Sequence, residues 1–403
     1  MAFILVSETS PRSLRSHVMQ GKNRARPRPD RRRRLEISIE ALKTAYNTIP
    51  PRLGSELSCT ELAAVDPRLF GRLMEFTSLS VRVLFPLAVL TDFPVHEATW
   101  LDYLRQDTAL LHLMLFAADV FIETAVEKTC VMSNRARRHF ISGVSLVRQQ
   151  LKNQEVSDLM VRKVLILALC AHLMGDVATA QHHLRGLHCI IDLRGGISSF
   201  QRQKLFFETV RSDIALAVQY NCEPMFSEAL ELYPSDETNI TEPIYGLDQQ
   251  LHIVWSSMHH FCAIANLAGE NKTRISPVLL QETMTSVMYR LLKMRFAADS
   301  RDEAVRLALL SFTSHVFLQG QDSLFPPLIA PKRFPCLKDI QPDLRLWLLF
   351  IEGFAGSERR TCLQATLGEC GLSTWRETRE VLKRFLWIDI LYERRGKLIF
   401  STK

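Results

Sequence analysis

Paired cysteines are missing from this sequence. The nine cysteines stand at positions 59, 130, 170, 189, 222, 262, 336, 362 and 370, and the closest two, Cys362 and Cys370, are eight residues apart. A structural zinc needs thiolate or imidazole pairs within one turn, typically Cys-x-x-Cys, to meet the ion at tetrahedral angles. His182, His183 and His188 share one helical stretch but have no second ligand group nearby. The odd number of cysteines, and their placement mostly inside apolar helical stretches, predict reduced core thiols.

Long apolar runs are also missing. "VLILALCAHLM" (164–174) falls well short of the roughly 18 residues that a bilayer demands, so no membrane partner is expected. "AFIL" near the start is too short for the hydrophobic region of a secretory signal. With these absences the chain is expected to stay in the cytosol or the nucleus.

Catalytic motifs are absent in an informative way, because each needs all of its parts. "HEATW" (96–100) begins like a zinc-protease helix but has Trp100 where the second histidine must stand. "LAGENKTR" (267–274) ends like a phosphate loop and lacks the earlier glycines whose amides would cradle the phosphate. There is no Gly-x-Ser-x-Gly elbow. No cofactor and no enzymatic activity are expected. An enzyme built from scattered residues stays open as an alternative, but Asp213, His172 and His188 are most simply explained as satisfied polar groups of helices.

What is present is charge in one place. Residues 22–34, "KNRARPRPDRRRR", hold Lys22, Arg24, Arg26, Arg28, Arg31, Arg32, Arg33 and Arg34 around a single aspartate. Residues 1–35 carry ten Lys or Arg against Glu8 and Asp30, a net of +8, whereas the whole chain nets +7. The rest of the chain therefore carries 40 basic and 41 acidic residues. The positive balance belongs to an arm and not to the body. Pro27 and Pro29 block helix formation, and repulsion among Arg31 to Arg34 keeps the segment extended. Such a cluster suits the acidic grooves of a nuclear import receptor. Weak, non-specific contact with DNA phosphates ranks second and a merely solvated tail third.

The remainder is 47% apolar over the full chain and is patterned for helices. In "VRKVLILALCAHLMGDVATAQHHLRGLHCIIDLRGG" (161–196) the first helix is apolar nearly all round from Val164 to Met174, which predicts a buried helix. Gly175 ends it and Asp176 suits an N-cap. Val177, Ala180, Leu184, Leu187 and Ile191 then recur at steps of three and four, one stripe facing a partner. Gln181, His182, Arg185 and Cys189 lie opposite, and His188 is one turn from Asp192. Further helices are expected near 70–92, 97–127, 133–152, 202–220, 247–268, 276–297, 302–318 and 342–356. Thr374 with Glu377 predicts a capping box opening a helix over "WRETREVLKRFLWI". Strands are hard to find and no repeat has a fixed period. The expected fold is all-α, a large irregular bundle of helix hairpins over 46–403, with a disordered basic arm over 1–45.

The order of these segments resembles a known family, the fungal-specific transcription factor domain of regulators that often carry a binuclear zinc cluster. "FILVSETSPRSLRSHVMQ" looks like the family's opening "F…P…RSH.M", and "ATWLDYLRQDTALLHLMLFAAD" is similar to its "W……DPALFHALL..AA" helix. "AQHHLRGLHCIIDLRGGI" closely resembles "A..HL.GL..M..LRGG", and "RSDIALAVQYNCEPMF" looks like the helix that follows, with its Asp and terminal Pro-x-Phe. "LRLWLLFIEGFAGS" and "WRETREVLKRFLWID" are similar to the late "LWLL..GG.AA" and "W..V...L..FLWID" segments. The resemblance covers nearly the whole chain. It implies the regulatory helical part of a nuclear transcription regulator, with other transcription regulators as partners and a homo- or hetero-dimer as an open assembly. The zinc cluster needs six cysteines in a short N-terminal stretch, and no cysteine precedes Cys59. The expected function is therefore regulation through protein contacts, without that DNA-reading module. A helical interaction scaffold with no nuclear role is the alternative.

Overall fold

Side-chain oxygens placed just before apolar stretches start most of the helices. The structure, a computed structural model, describes residues 67–84, 86–87, 90–91, 103–104, 106–129, 131–153, 156–201, 203–233, 246–318, 340–354 and 359–401. Asp107, Ser133, Ser157, Asp176, Asp248, Ser300 and Thr374 each accept a hydrogen bond from a backbone N–H of the first turn they precede. Each satisfies a donor that the helix cannot satisfy itself. Thr374 and Glu377 form the expected capping box in both directions.

Thirteen α-helices follow in order among the described residues. They are α1 (Pro67–Leu84), α2 (Thr108–Phe121), α3 (Asn134–Lys152), α4 (Asp158–Leu173), α5 (Val177–Leu193), α6 (Lys204–Tyr220) and α7 (Gln249–Asn271). Then come α8 (Pro277–Lys293), α9 (Arg301–Phe317), α10 (Pro342–Phe354), α11 (Arg360–Glu369), α12 (Trp375–Lys383) and α13 (Asp389–Ser401). A π-helical turn (Ile122–Val126) extends α2, and 3-10 turns occupy Ile197–Phe200 and Ser227–Leu232. Among the described residues, β pairing is confined to one isolated bridge between Thr91 and Ile275. The all-α irregular bundle expected from the sequence is what these residues form.

The helices share one core, a single cluster of buried apolar residues from Leu87 to Ile399. α2 packs on α1, α3 and α4; α4 forms a hairpin with α5; α6 meets α4 and α8; α7 meets α8 and α13; and α10 meets α9, α11, α12 and α13. Helices buried on nearly all sides lie centrally, as their sequences require. α4 is the expected case except at its end, where Met174 is exposed, and α9 and α10 behave alike. α9 carries Thr313 and Ser314 inside the core because their hydroxyls donate to the Leu309 and Leu310 carbonyls one turn back, at 2.7 Å each.

Several boundaries differ from expectation. The helix expected over 70–92 is Pro67–Leu84, and Pro86, which cannot continue a helix by hydrogen bonding, stands two residues beyond its end. The helix expected over 97–127 does not run through, because Asp107 leaves helical geometry at φ −125° and ψ 100° to cap α2. The helix expected over "WRETREVLKRFLWI" stops at Lys383, and two helices not anticipated, α11 and α13, appear near the C-terminus. The 45/46 domain boundary lies outside the described residues. The thiols divide: Cys170 and Cys262 are buried in the core, but Cys189 and Cys362 are exposed and Cys222 and Cys370 are half-buried. Core burial thus holds for two of these six, since periodicity alone does not say which face of a helix a cysteine takes.

Candidate functional site

Lys22, Arg24, Arg26, Arg28, Arg31, Arg32, Arg33 and Arg34 lie outside the described residues, so the site has to be built from the helical body. Among the described residues no group of three or more His, Cys, Asp or Glu could hold a metal ion, and no helix is long and apolar enough to cross a membrane.

The α4–α5 hairpin follows its sequence closely. Gly175 takes φ +78° at the turn, and Asp176 Oδ1 accepts from the Thr179 N–H at 3.0 Å. Ala180, Leu184, Leu187 and Ile191 are buried, while Val177, expected in the same stripe, is exposed. Val177 is the first residue of the helix, where the partner helix α4 has already ended at Leu173. His188 Nδ1 lies 2.8 Å from Asp192, and its ring stacks on Phe226. Arg194 covers the Phe200 ring and pairs with Asp158, joining the end of α5 to the start of α4. His182 is exposed and His183 half-buried, so the three histidines do not converge.

Three buried aspartates act as hubs. Asp107 uses Oδ1 to cap α2 at Leu110 N–H and Oδ2 to bind Lys163 Nζ at 2.6 Å. Lys163 is 2% exposed and also donates to Gln150 Oε1 at 2.6 Å, so one ammonium joins α2, α3 and α4. Burial pushes the Asp107 carboxyl up, but Lys163, the Leu110 N–H and Gln150 together hold it below its ordinary value. Asp119, at the end of α2, takes a two-pronged contact from Arg135 at 2.7 and 2.9 Å and a third bond from Arg72 at 3.0 Å.

Asp213, midway along α6, accepts from the Met225 and Phe226 N–H groups at 2.9 Å each and from the Tyr289 hydroxyl at 3.0 Å. α6 ends at Asn221 in the left-handed region, which turns the chain back so that Met225 and Phe226 meet the carboxylate. Burial raises the Asp213 carboxyl to about 6, although all three donors pull it down. His172 bonds the Tyr220 hydroxyl at 2.8 Å. Asp213, His172 and His188 are thus each satisfied within the fold and lie on separate helices or faces.

Near the C-terminus, Asn266 on α7 grips the turn before α13. Its Nδ2 donates to the Trp387 carbonyl and its Oδ1 accepts from the Asp389 N–H, both at 2.8 Å. The Leu386 carbonyl is taken by the Trp347 indole at 2.9 Å. These partners hold the Leu386 and Trp387 carbonyls sideways, where "RFLWI" has left the helix, while the Ile388 carbonyl already accepts from the first turn of α13. Asp389 also gathers the Trp387 indole, Arg379 and Lys383, each at 2.9 Å. Gly396 lets α13 approach, since a Cβ there would lie 2.6 Å from the Trp375 ring and 2.8 Å from the Trp387 ring.

These clusters use their carboxylates, amides and indoles to fix one helix against another, so their chemistry is positioning. Sequence reasoning missed Lys163, whose signal was a lysine directly before the apolar run that starts at Val164. It also missed the charge of α3, which carries Arg135, Arg137, Arg138, Arg148 and Lys152 and no acidic residue. A near-neutral total for the body conceals this helix. Comparison with protein families, with curated proteins and with solved structures finds no match for this chain.

Proposed function

We propose that the chain is a nuclear transcription regulator that acts through protein contacts of its helical body, not through catalysis. In this reading the body corresponds to the regulatory domain of the fungal-specific transcription factor family. Residues 22–34 serve as the import address and, secondarily, as a weak DNA contact. The import receptor and other transcription regulators are the partners, with a homo- or hetero-dimer as the assembly left open.

The observation that carries the reading is the placement of the residues behind the family resemblance. In "ATWLDYLRQDTALLHLMLFAAD", Asp107 caps α2 and Asp119 pairs with two arginines, Arg72 and Arg135. Asp213 of "RSDIALAVQYNCEPMF" binds the backbone of Met225 and Phe226 in the same segment. Asp389 of "WRETREVLKRFLWID" is the hub of the C-terminal turn. Segments recognised by their order thus supply the joints of the body, which supports treating them as one regulatory domain.

The test is to tether the full chain to a promoter through an unrelated DNA-binding module. A change in reporter transcription, in either direction, that disappears when Asp213→Ala loosens the body is the expected result. An unchanged reporter with a folded, nuclear protein overturns the reading.

A further inference from the structure

The outward face of α3 is basic along its length. Arg137, Arg138, Arg148 and Lys152 are all exposed, while Ala136, Gly143 and Val147 are buried on the opposite side. Among the described residues none of these four cations forms an ion pair; Arg135, the fifth, turns inward to Asp119. From Arg137 to Lys152 the face runs about 22 Å at 1.5 Å per residue. Ile141 stands between the two pairs of cations and is 60% exposed. The platform is firm: at Gly143, α3 approaches α2 so closely that a Cβ would lie 2.7 Å from the Leu113 side chain.

We infer that this face is a docking surface for an acidic segment of another protein that carries an apolar side chain among its carboxylates. Charge complementarity selects the sign of the partner, because four unpaired cations within one helix face attract carboxylates over several ångströms. Ile141 selects the class. A nucleic-acid backbone would use the arginines and leave the isoleucine against phosphate and sugar, whereas an acidic segment with an apolar anchor uses both. The apolar stripe of α3 is already spent against α2, so the helix has no second apolar face to lay into a lipid surface. The inference stands on exposure and charge and does not rest on the regulatory reading above.

The test measures fluorescence anisotropy with the full chain, both unaltered and with every Lys and Arg of residues 22–34 replaced by Ser so that the arm does not bind the probe. The probes are an 18-residue peptide of Asp and Glu flanking two Leu, the same peptide with Ser for Leu, and an 18-base-pair DNA duplex. The account expects the arm-neutralised chain to bind the Leu peptide about tenfold tighter than the Ser peptide. R137E/R138E and, independently, R148E/K152E each weaken it about tenfold, and I141S weakens it severalfold, with melting temperature unchanged. Equal affinity for the two peptides, insensitivity to both charge reversals, no binding of either peptide, or tighter DNA binding with the same dependence on these arginines would each overturn the inference.

Discussion

Lys163 and Asp107 stand 56 residues apart in the chain and meet inside it, Nζ to Oδ2 at 2.6 Å, with Lys163 2% exposed. The bond joins the middle of one apolar helix to the cap of another. Removing one partner leaves the other charge buried and unpaired, which costs about 3–5 kcal/mol. K163M is expected to fall in that range by urea denaturation. D107N keeps the cap, because asparagine caps as well as aspartate, and loses the charge pair. The double variant should cost less than the two single ones together by at least about 1 kcal/mol. Additive effects would show that the pair is not coupled.

Two glycines on different helices should respond in opposite directions to alanine. Gly396 faces the Trp375 and Trp387 rings, so G396A forces those rings apart and is expected to destabilise by about 1–3 kcal/mol. Gly186 in α5 is exposed and has nothing within 4 Å of its Cβ direction, so G186A should stabilise by about 0.5–1 kcal/mol. Thermal denaturation of both variants against the parent checks the pair. A neutral G396A would mean that α13 can shift away from the indoles.

Acid should weaken the fold through buried histidines. Burial depresses His172 and His315 to about 4, against an ordinary 6.5, and His315 would gain its charge near Arg395. The unfolded chain takes up these protons first, so each contribution is intact above pH 6.5 and is lost as pH falls towards 4. Asp213 opposes them: with its carboxyl raised to about 6 from 3.8, its folded form gains as pH falls through that interval. Two histidines outweigh one aspartate, so the melting temperature should drop between pH 7 and pH 5. H315Q should make that drop smaller. An equal drop in parent and variant contradicts the assignment of His315.

Local grammar made much of the scaffold legible in advance. The Asp176 cap, the Gly175 turn, the buried stripe of α5 and the Thr374–Glu377 box all depend on residues within a few positions of each other. The hubs were hidden because their partners are distant: Asp213 and Tyr289 are 76 apart, and Asn266 and Asp389 are 123 apart. No periodicity reports such pairs. The interruption at Asp107 was hidden for a related reason, since the apolar pattern continues across it and only Lys163 and the cap show what the aspartate does.

The exposed charge of α3 was obscured by averaging, because 40 basic and 41 acidic residues outside the arm cancel in the total while this helix holds five cations and no acid. Net charge describes long-range attraction for a whole body; a contact face has to be counted helix by helix.

The central proposal is that residues 22–34 choose the compartment in which the helical body works. Its most direct test is to image the full chain, fused to a fluorescent protein, beside a version in which Lys22, Arg24, Arg26, Arg28 and Arg31 to Arg34 are all serine. The account predicts nuclear fluorescence for the first and cytoplasmic fluorescence for the second. The same distribution for both chains would contradict it.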